Sequence, residues 1–414
     1  MGMLIKMEFE KKLGWKFILL GILIFICLGT VYSWSVFRKP LEDHFQIGST
    51  ESGLPYMIFL ASYAFLMPVG GLLLERFSPR AVIIAGGGMV GFGWILSGYA
   101  QDIIVLSLTY GIIAGGGVGV AYGGPLSVVA RWFPEKKGFA VGLTLLGFGL
   151  SPFITAPIAN LLIRLYNPLQ TFKILGVVFL FIIILLAIPF KYPKCSIWVE
   201  SSKSSYIDNY DSNINTKQMF RTTNFYGLWI CFAISTMAGL MSIGIAGAVG
   251  EEIIKLDPSH AALAVSTFAV FNGIGRPLFG WLTDMINPYR TSLIAYSLLI
   301  VAAVLMLIAD NGSIYLYFTA FSLLWLTLGG WLAIAPTTTL IFFGQKYYNK
   351  NYGFVFTAYG VGAILGVLIS GIIRDTLGSY MYVFYYLLIL GMTGIIVSTI
   401  LLRNSVGDNV SKHY

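Results

Sequence analysis

Charge is what this sequence has least of. Asp, Glu, Lys and Arg make up 11% of its 414 residues, where a soluble domain carries about a quarter, so water is not the main solvent of this chain. Histidine is almost missing: His44, His260 and His413 fall in predicted loops or near the C-terminus, which leaves no histidine-based metal or proton site. The three cysteines, Cys27, Cys195 and Cys231, have no metal-ligand spacing, and two of them sit in apolar stretches. No Gly-x-x-x-x-Gly-Lys-Ser/Thr loop for phosphate accompanies the many glycines. No nucleophile, base or metal cluster of an enzyme emerges, and no cofactor is expected. Also absent from stretches such as 177–190 and 383–402 is the alternation of apolar and polar residues that a barrel strand needs.

What remains is hydrophobic: 57% of the residues, with a mean hydropathy of +0.81. A run of roughly 20 apolar residues crosses a bilayer, and backbone in lipid must bond to itself, so long continuous runs predict helices. Twelve spans are predicted, at 15–37, 52–74, 81–99, 103–130, 138–163, 170–190, 224–250, 258–282, 291–309, 314–343, 354–374 and 379–402. The first follows Lys11, Lys12 and Lys16 like a signal peptide, yet it exceeds the usual apolar core of one and further spans follow, so it reads as a retained helix. With the N-terminus inside, the large majority of the 26 Lys and Arg fall in cytoplasmic segments. That bias predicts both termini in the cytoplasm and a multi-pass protein of the plasma (inner) membrane. The net charge of +8 is therefore a matter of topology and not of a nucleic-acid partner. A monomer is the default expectation.

The chain divides into a six-helix bundle at 1–190, a polar Ser/Asn/Asp-rich linker at 191–222, a second bundle at 223–402 and a tail at 403–414. The halves repeat each other. Pro68, Gly71 and Glu75 recur 209 positions on as Pro277, Gly280 and Asp284, each set at the loop after the second helix of its half. In the first copy, Glu75, Arg76 and Arg80 place a carboxylate and two cations at a helix end on the cytoplasmic side. Such groups pair in one conformation and separate in another, so they are candidates for conformational gating together with Gly71, Gly280, Asp284 and Arg290. Read blandly, Arg76 and Arg80 are interfacial anchors. Gly115, Gly119 and Gly123, and Gly362, Gly366 and Ser370, repeat every four residues and read as packing faces between helices.

These features resemble the major facilitator superfamily, whose signature after the second helix is G-x-x-x-D-R-x-x-x-R. Here the acid is Glu75, and the second copy keeps Asp284 and Arg290 but has Met285 at the first Arg. Within that superfamily, the stretch Gly115–Gly123, the element Arg131-Trp132-Phe133-Pro134-Glu135-Lys136-Lys137-Gly138, Tyr32–Phe37 and Asn272–Arg276 are similar to the oxalate/formate antiporter and monocarboxylate carrier group. The resemblance implies an all-α membrane protein of twelve helices in two pseudo-symmetric six-helix bundles. It also implies secondary transport of small carboxylates, by proton symport or by antiport.

Arg276 is the leading candidate for the substrate. A guanidinium inside a span costs about 3 kcal/mol on insertion scales, and all 18 Asp and Glu fall in loops or at the ends of predicted spans. An anion fits the fork of Arg276, a small carboxylate above all; the bland alternative is scaffolding. Asn272, four residues earlier, shares its helix face and donates to the same carboxylate. In proton-coupled carriers of the group this place resembles an Asp, so an amide here argues against a carboxylate proton relay. Tyr359, in Phe356-Thr357-Ala358-Tyr359-Gly360, stands where the oxalate exchangers resemble one another in having Lys. One Arg and a phenol suit a monocarboxylate such as lactate, pyruvate, glycolate or formate better than a dianion. Tyr32, Trp34, Tyr122, Trp325, Trp331 and Phe356 are candidate walls of the cavity, against the competing reading as interfacial belts and core packing. A sugar or drug carrier of the same fold and a membrane receptor without flux stay open as rivals.

Overall fold

The structure, a computed structural model, describes residues 2–133, 137–193, 214–344 and 347–403. The Pro134–Lys136 part of the aromatic-basic element, linker residues 194–213 and the tail from 404 lie outside the described residues. Among the described residues twelve helices are long and apolar enough to cross a membrane. They are α1 (Gly14–Phe45), α2 (Ser49–Arg76), α3 (Pro79–Ser97), α4 (Ile103–Trp132), α5 (Ala140–Leu165), α6 (Pro168–Ala187), α7 (Thr223–Glu252), α8 (Pro258–Ile286), α9 (Pro288–Leu307), α10 (Ile314–Phe343), α11 (Lys350–Leu377) and α12 (Met381–Leu402).

Most of the predicted ends fall within a few residues of these. The first does not: α1 continues past residue 37 through Arg38, Lys39 and Pro40 to Phe45. The charged pair read as the end of a span, but Arg38 is 1% exposed because protein oxygens, not water, receive its donors. A buried cation is tolerated on those terms.

Tight turns follow from the residues that start the helices. Ser78, Asn167, Asp257 and Asn287 each accept a backbone N–H of the first turn with the side chain, and each precedes a proline at the first helical position. Cap and proline together start a helix abruptly. At Asp257, hydrogen bonds from the side chain and the backbone of His260 hold the carboxyl below its ordinary range.

The packing repeats six helices on. In the first half α1 lies on α5, α2 on α4, and α3 on α4 and α6; in the second α7 lies on α11, α8 on α10, and α9 on α10 and α12. The halves meet along two seams related by the same exchange, α2 on α11 and α5 on α8. Large apolar side chains such as Phe92, Phe181, Leu185, Val301, Ile389 and Ile396 are exposed on α3, α6, α9 and α12, which suits contact with lipid. Six crossings return the chain to the face it began on, so the linker leaves from the same face as the start of α1, the linker face. The α1–α2, α7–α8 and α11–α12 turns lie at the opposite face.

Candidate functional site

Arg276 lies on α8 where that helix meets α5, and only 3% of it is exposed. Its Nη1 donates to the Leu145 carbonyl oxygen of α5 at 3.0 Å and its Nη2 to Asn272 Oδ1 at 3.4 Å. Its Nε has no partner among the described residues. The guanidinium carbon stands 5.8 Å from the centre of the Phe148 ring. Among the described residues no Asp or Glu forms an ion pair with it. The cation is thus buried, fixed in place and uncompensated by any carboxylate among the described residues.

Asn272 is oriented by its neighbours. Its Nδ2 donates to the Trp325 carbonyl oxygen at 3.2 Å, which leaves Oδ1 for Arg276. Helix α10 brings that carbonyl within reach of Asn272 only because position 329 is glycine: a Cβ there would come 2.1 Å from the Asn272 carbonyl oxygen. On the other side, a Cβ at Gly149 would stand 3.0 Å from Asn272 Oδ1. Two glycines thus set the depth at which α8 sits between α5 and α10.

Phenols complete the constellation. The hydroxyls of Tyr32 on α1 and Tyr359 on α11 hydrogen-bond to each other at 2.8 Å across the two halves. Tyr359 stacks on Phe356 with ring centres 4.9 Å apart. Tyr122 packs 5.9 Å from Phe148 and 6.4 Å from Phe356, and both Tyr32 and Tyr122 lie within electrostatic reach of Arg276. The structure therefore gathers Arg276, Asn272, Tyr32, Tyr122, Phe356 and Tyr359 around the junction of the halves. Chemically, one fixed positive charge and several hydroxyl tips face one another between apolar rings, an environment that strips water from a small anion and binds its charge.

The three tryptophans are placed elsewhere. Trp34 stacks among Tyr56, Tyr110 and Phe172 inside the first bundle. Trp331 packs against Phe232 and Tyr296 inside the second, and Trp325 turns its ring to Phe268, meeting Asn272 only through its carbonyl. At the linker face, Glu75, Arg76, Arg80, Asp284 and Arg290 are exposed, and none takes part in an ion pair among the described residues. Gly71 has open space where a Cβ would stand, and Gly280 has Ala333 at 3.6 Å. Arg80 lines a cavity of about 370 Å³ with Ser78, Lys191 and Tyr192 that shares no lining residue with the Arg276 site.

Sequence reasoning passed over Tyr63, whose ring lies 5.3 Å from both Tyr122 and Phe356, and Phe148. A signal existed for the first: Tyr56, Phe59 and Tyr63 form an aromatic stripe at helical spacing on α2. Nothing marks Leu145, which contributes only its main chain.

The sequence profile of the Major Facilitator Superfamily matches residues 18–344 and 228–412. Among curated proteins, the chain is 28% identical to the oxalate:formate antiporter of Oxalobacter formigenes, over 88% of this chain and 86% of that one. It is 25% identical to monocarboxylate transporter 12-B of Danio rerio, over 90% and 83%, and 23% identical to apicoplast pyruvate carrier 1 of Toxoplasma gondii, over 89% and 86%. A solved structure of a bacterial homolog of the human lysosomal transporter Spinster, inward-facing and unoccupied, superposes with a TM-score of 0.65 at 14% identity, covering 97% of this chain and 94% of that one.

Proposed function

Since the chain belongs to the major facilitator superfamily and is a multi-pass membrane transporter, not an enzyme, we propose that its cargo is a small organic anion, a monocarboxylate of the lactate, pyruvate, glycolate or formate type. The observation that carries this reading is Arg276: a buried guanidinium that, among the described residues, has an unpartnered Nε and no carboxylate partner, beside hydroxyls and an amide. A single charge matches a single carboxylate. Two oxygens of that group suit the planar fork, and a phenol at Tyr359 adds a neutral donor where a second cation would favour a dianion. The two bundles, 1–190 and 223–402 about the 191–222 linker, rock to expose the site to each side in turn. Both termini face the cytoplasm of a plasma membrane, and Glu75, Arg76, Arg80, Asp284 and Arg290, with Gly71 and Gly280, are gating residues of that face.

An oxalate/formate-type exchange is the second reading, favoured by the 28% identity to the oxalate:formate antiporter of Oxalobacter formigenes. Counterflow in proteoliposomes with labelled lactate, formate and oxalate separates the two. The expected result is uptake of a monocarboxylate over oxalate, lost by about 10- to 100-fold in an Arg276→Ala variant, the cost of one charge-assisted anchor. Undiminished transport by that variant removes the role of Arg276, and preference for oxalate selects the second reading.

A further inference from the structure

At the face opposite the linker, the halves are joined by a continuous polar clasp. Asp375, on the last turn of α11, accepts hydrogen bonds from the backbone N–H of Ser49 at 3.1 Å and of Thr50 at 2.9 Å, and from the Thr50 hydroxyl. A carboxylate of the second half thus caps the N-terminus of α2 in the first. Its neighbour Arg374 is held within the second half, donating to Glu252 Oε2 at 2.8 Å and to the Gly378 carbonyl oxygen at 2.9 Å. Successive residues of a helix point about 100° apart, so anchoring Arg374 to α7 aims Asp375 at α2.

Behind this cap sits Arg38. It donates to Ser52 Oγ at 3.1 Å and to the Ser49 carbonyl oxygen at 2.5 Å within its own half, and to the Gly244 carbonyl oxygen of α7 at 3.2 Å across the junction. Tyr380 donates to Ser49 Oγ at 3.1 Å and stands under the same guanidinium. Glycines close the seam: a Cβ at Gly371 would come 2.6 Å from Thr50 Cα, and one at Gly53 would come 2.9 Å from Val367 Cγ1.

We infer that this clasp is the outer gate of the carrier, with Asp375 as its latch and Arg38 as the residue that positions the α2 end to receive it. The inference rests on the alternating-access reading above. Asp375 is exposed, so water replaces it on the α2 N–H groups when the seam parts, and the exchange is nearly balanced. Arg38 keeps its Ser49 and Ser52 bonds and its Glu42 ion pair at 3.5 Å in its own half, and gives up the Gly244 carbonyl and the Tyr380 ring. A seam whose cross-half bonds are hydrogen bonds that water can supply opens reversibly. A buried ion pair split between the halves would not.

The test needs no substrate. With Cys27, Cys195 and Cys231 changed to Ser, Val367→Cys reports the α2–α11 seam at the outer end. Gly353→Cys, 3.3 Å by its Cβ from Pro68, reports the linker end of the same pair of helices. A membrane-impermeant maleimide is applied to each side in turn. Asp375→Asn is expected to raise the labelling rate at 367 by about tenfold and to lower it at 353, with Asp375→Glu restoring much of the original pattern. Thr50→Val, which removes the hydroxyl donor, gives the same reciprocal shift at smaller size and serves if Asp375→Asn does not fold. A rise at both positions marks a staple whose loss merely loosens the protein, and no change at either marks a contact without influence; each overturns the gate. Because the labels report conformation alone, a failure of the carboxylate reading is seen separately, in counterflow.

Discussion

Two buried arginines behave in opposite ways, and the difference is what they bond to. Arg38 spends its donors on a hydroxyl and two main-chain oxygens and has Glu42 at 3.5 Å. Arg276 has bonds of 3.0 Å to a main-chain oxygen and 3.4 Å to an amide and, among the described residues, no carboxylate partner and an unpartnered Nε. Sequence made Arg276 legible because no acid accompanies it in the membrane; it misplaced Arg38, because a cation next to Lys39 and Pro40, four residues before Glu42, looks like the end of a helix, and its two carbonyl partners leave no trace in side-chain identity. Tyr359 is where the two substrate readings diverge. Tyr359→Lys adds a second cation at the same junction, next to Tyr32, and the expected outcome is an improvement of roughly tenfold in the inhibition of counterflow by oxalate relative to formate, measured over a concentration series.

The four-residue glycine stripe of α4 was readable as a packing face, and it packs: Cβ atoms at Gly115 and Gly119 would come 2.5 Å and 2.6 Å from the carbonyl oxygens of Phe59 and Tyr63 on α2. What the stripe did not reveal is its partner, since several helices of the chain offer small faces. Gly329 shows how tightly one such contact supports the site. Gly329→Ala forces α10 away from Asn272, and the expected cost is about 1–3 kcal/mol of stability with loss of counterflow. Gly71→Ala, with open space around it, leaves thermal stability unchanged or slightly raised, since alanine favours a helix over glycine. Thermal denaturation in detergent, monitored by tryptophan fluorescence, distinguishes the pair.

For the molecule as a whole, the number of helices and the halving of the chain followed from hydropathy and from a repeat at 209 residues, and the packing pattern repeats at six helices as that repeat implies. The arrangement of one half against the other was not readable. It depends on main-chain oxygens, on the cap that Asp375 places on α2 and on glycines whose meaning appears only when a second helix is beside them. The proposed sidedness rests on the Lys and Arg bias, and an epitope inserted at Gly312, an exposed turn between α9 and α10, is expected to be stained in intact cells, while one at the C-terminus is stained only after permeabilisation. The reverse pattern inverts the orientation.

The carbonyl of Leu145 has a consequence for genetics. Every residue that replaces leucine there brings the same oxygen, so a screen for inactive mutants will return position 276 repeatedly and its partner hardly ever. Natural variation across such carriers should then drift freely at the one site while the other stays fixed, and statistical searches for paired changes will miss a contact that physically joins the two halves.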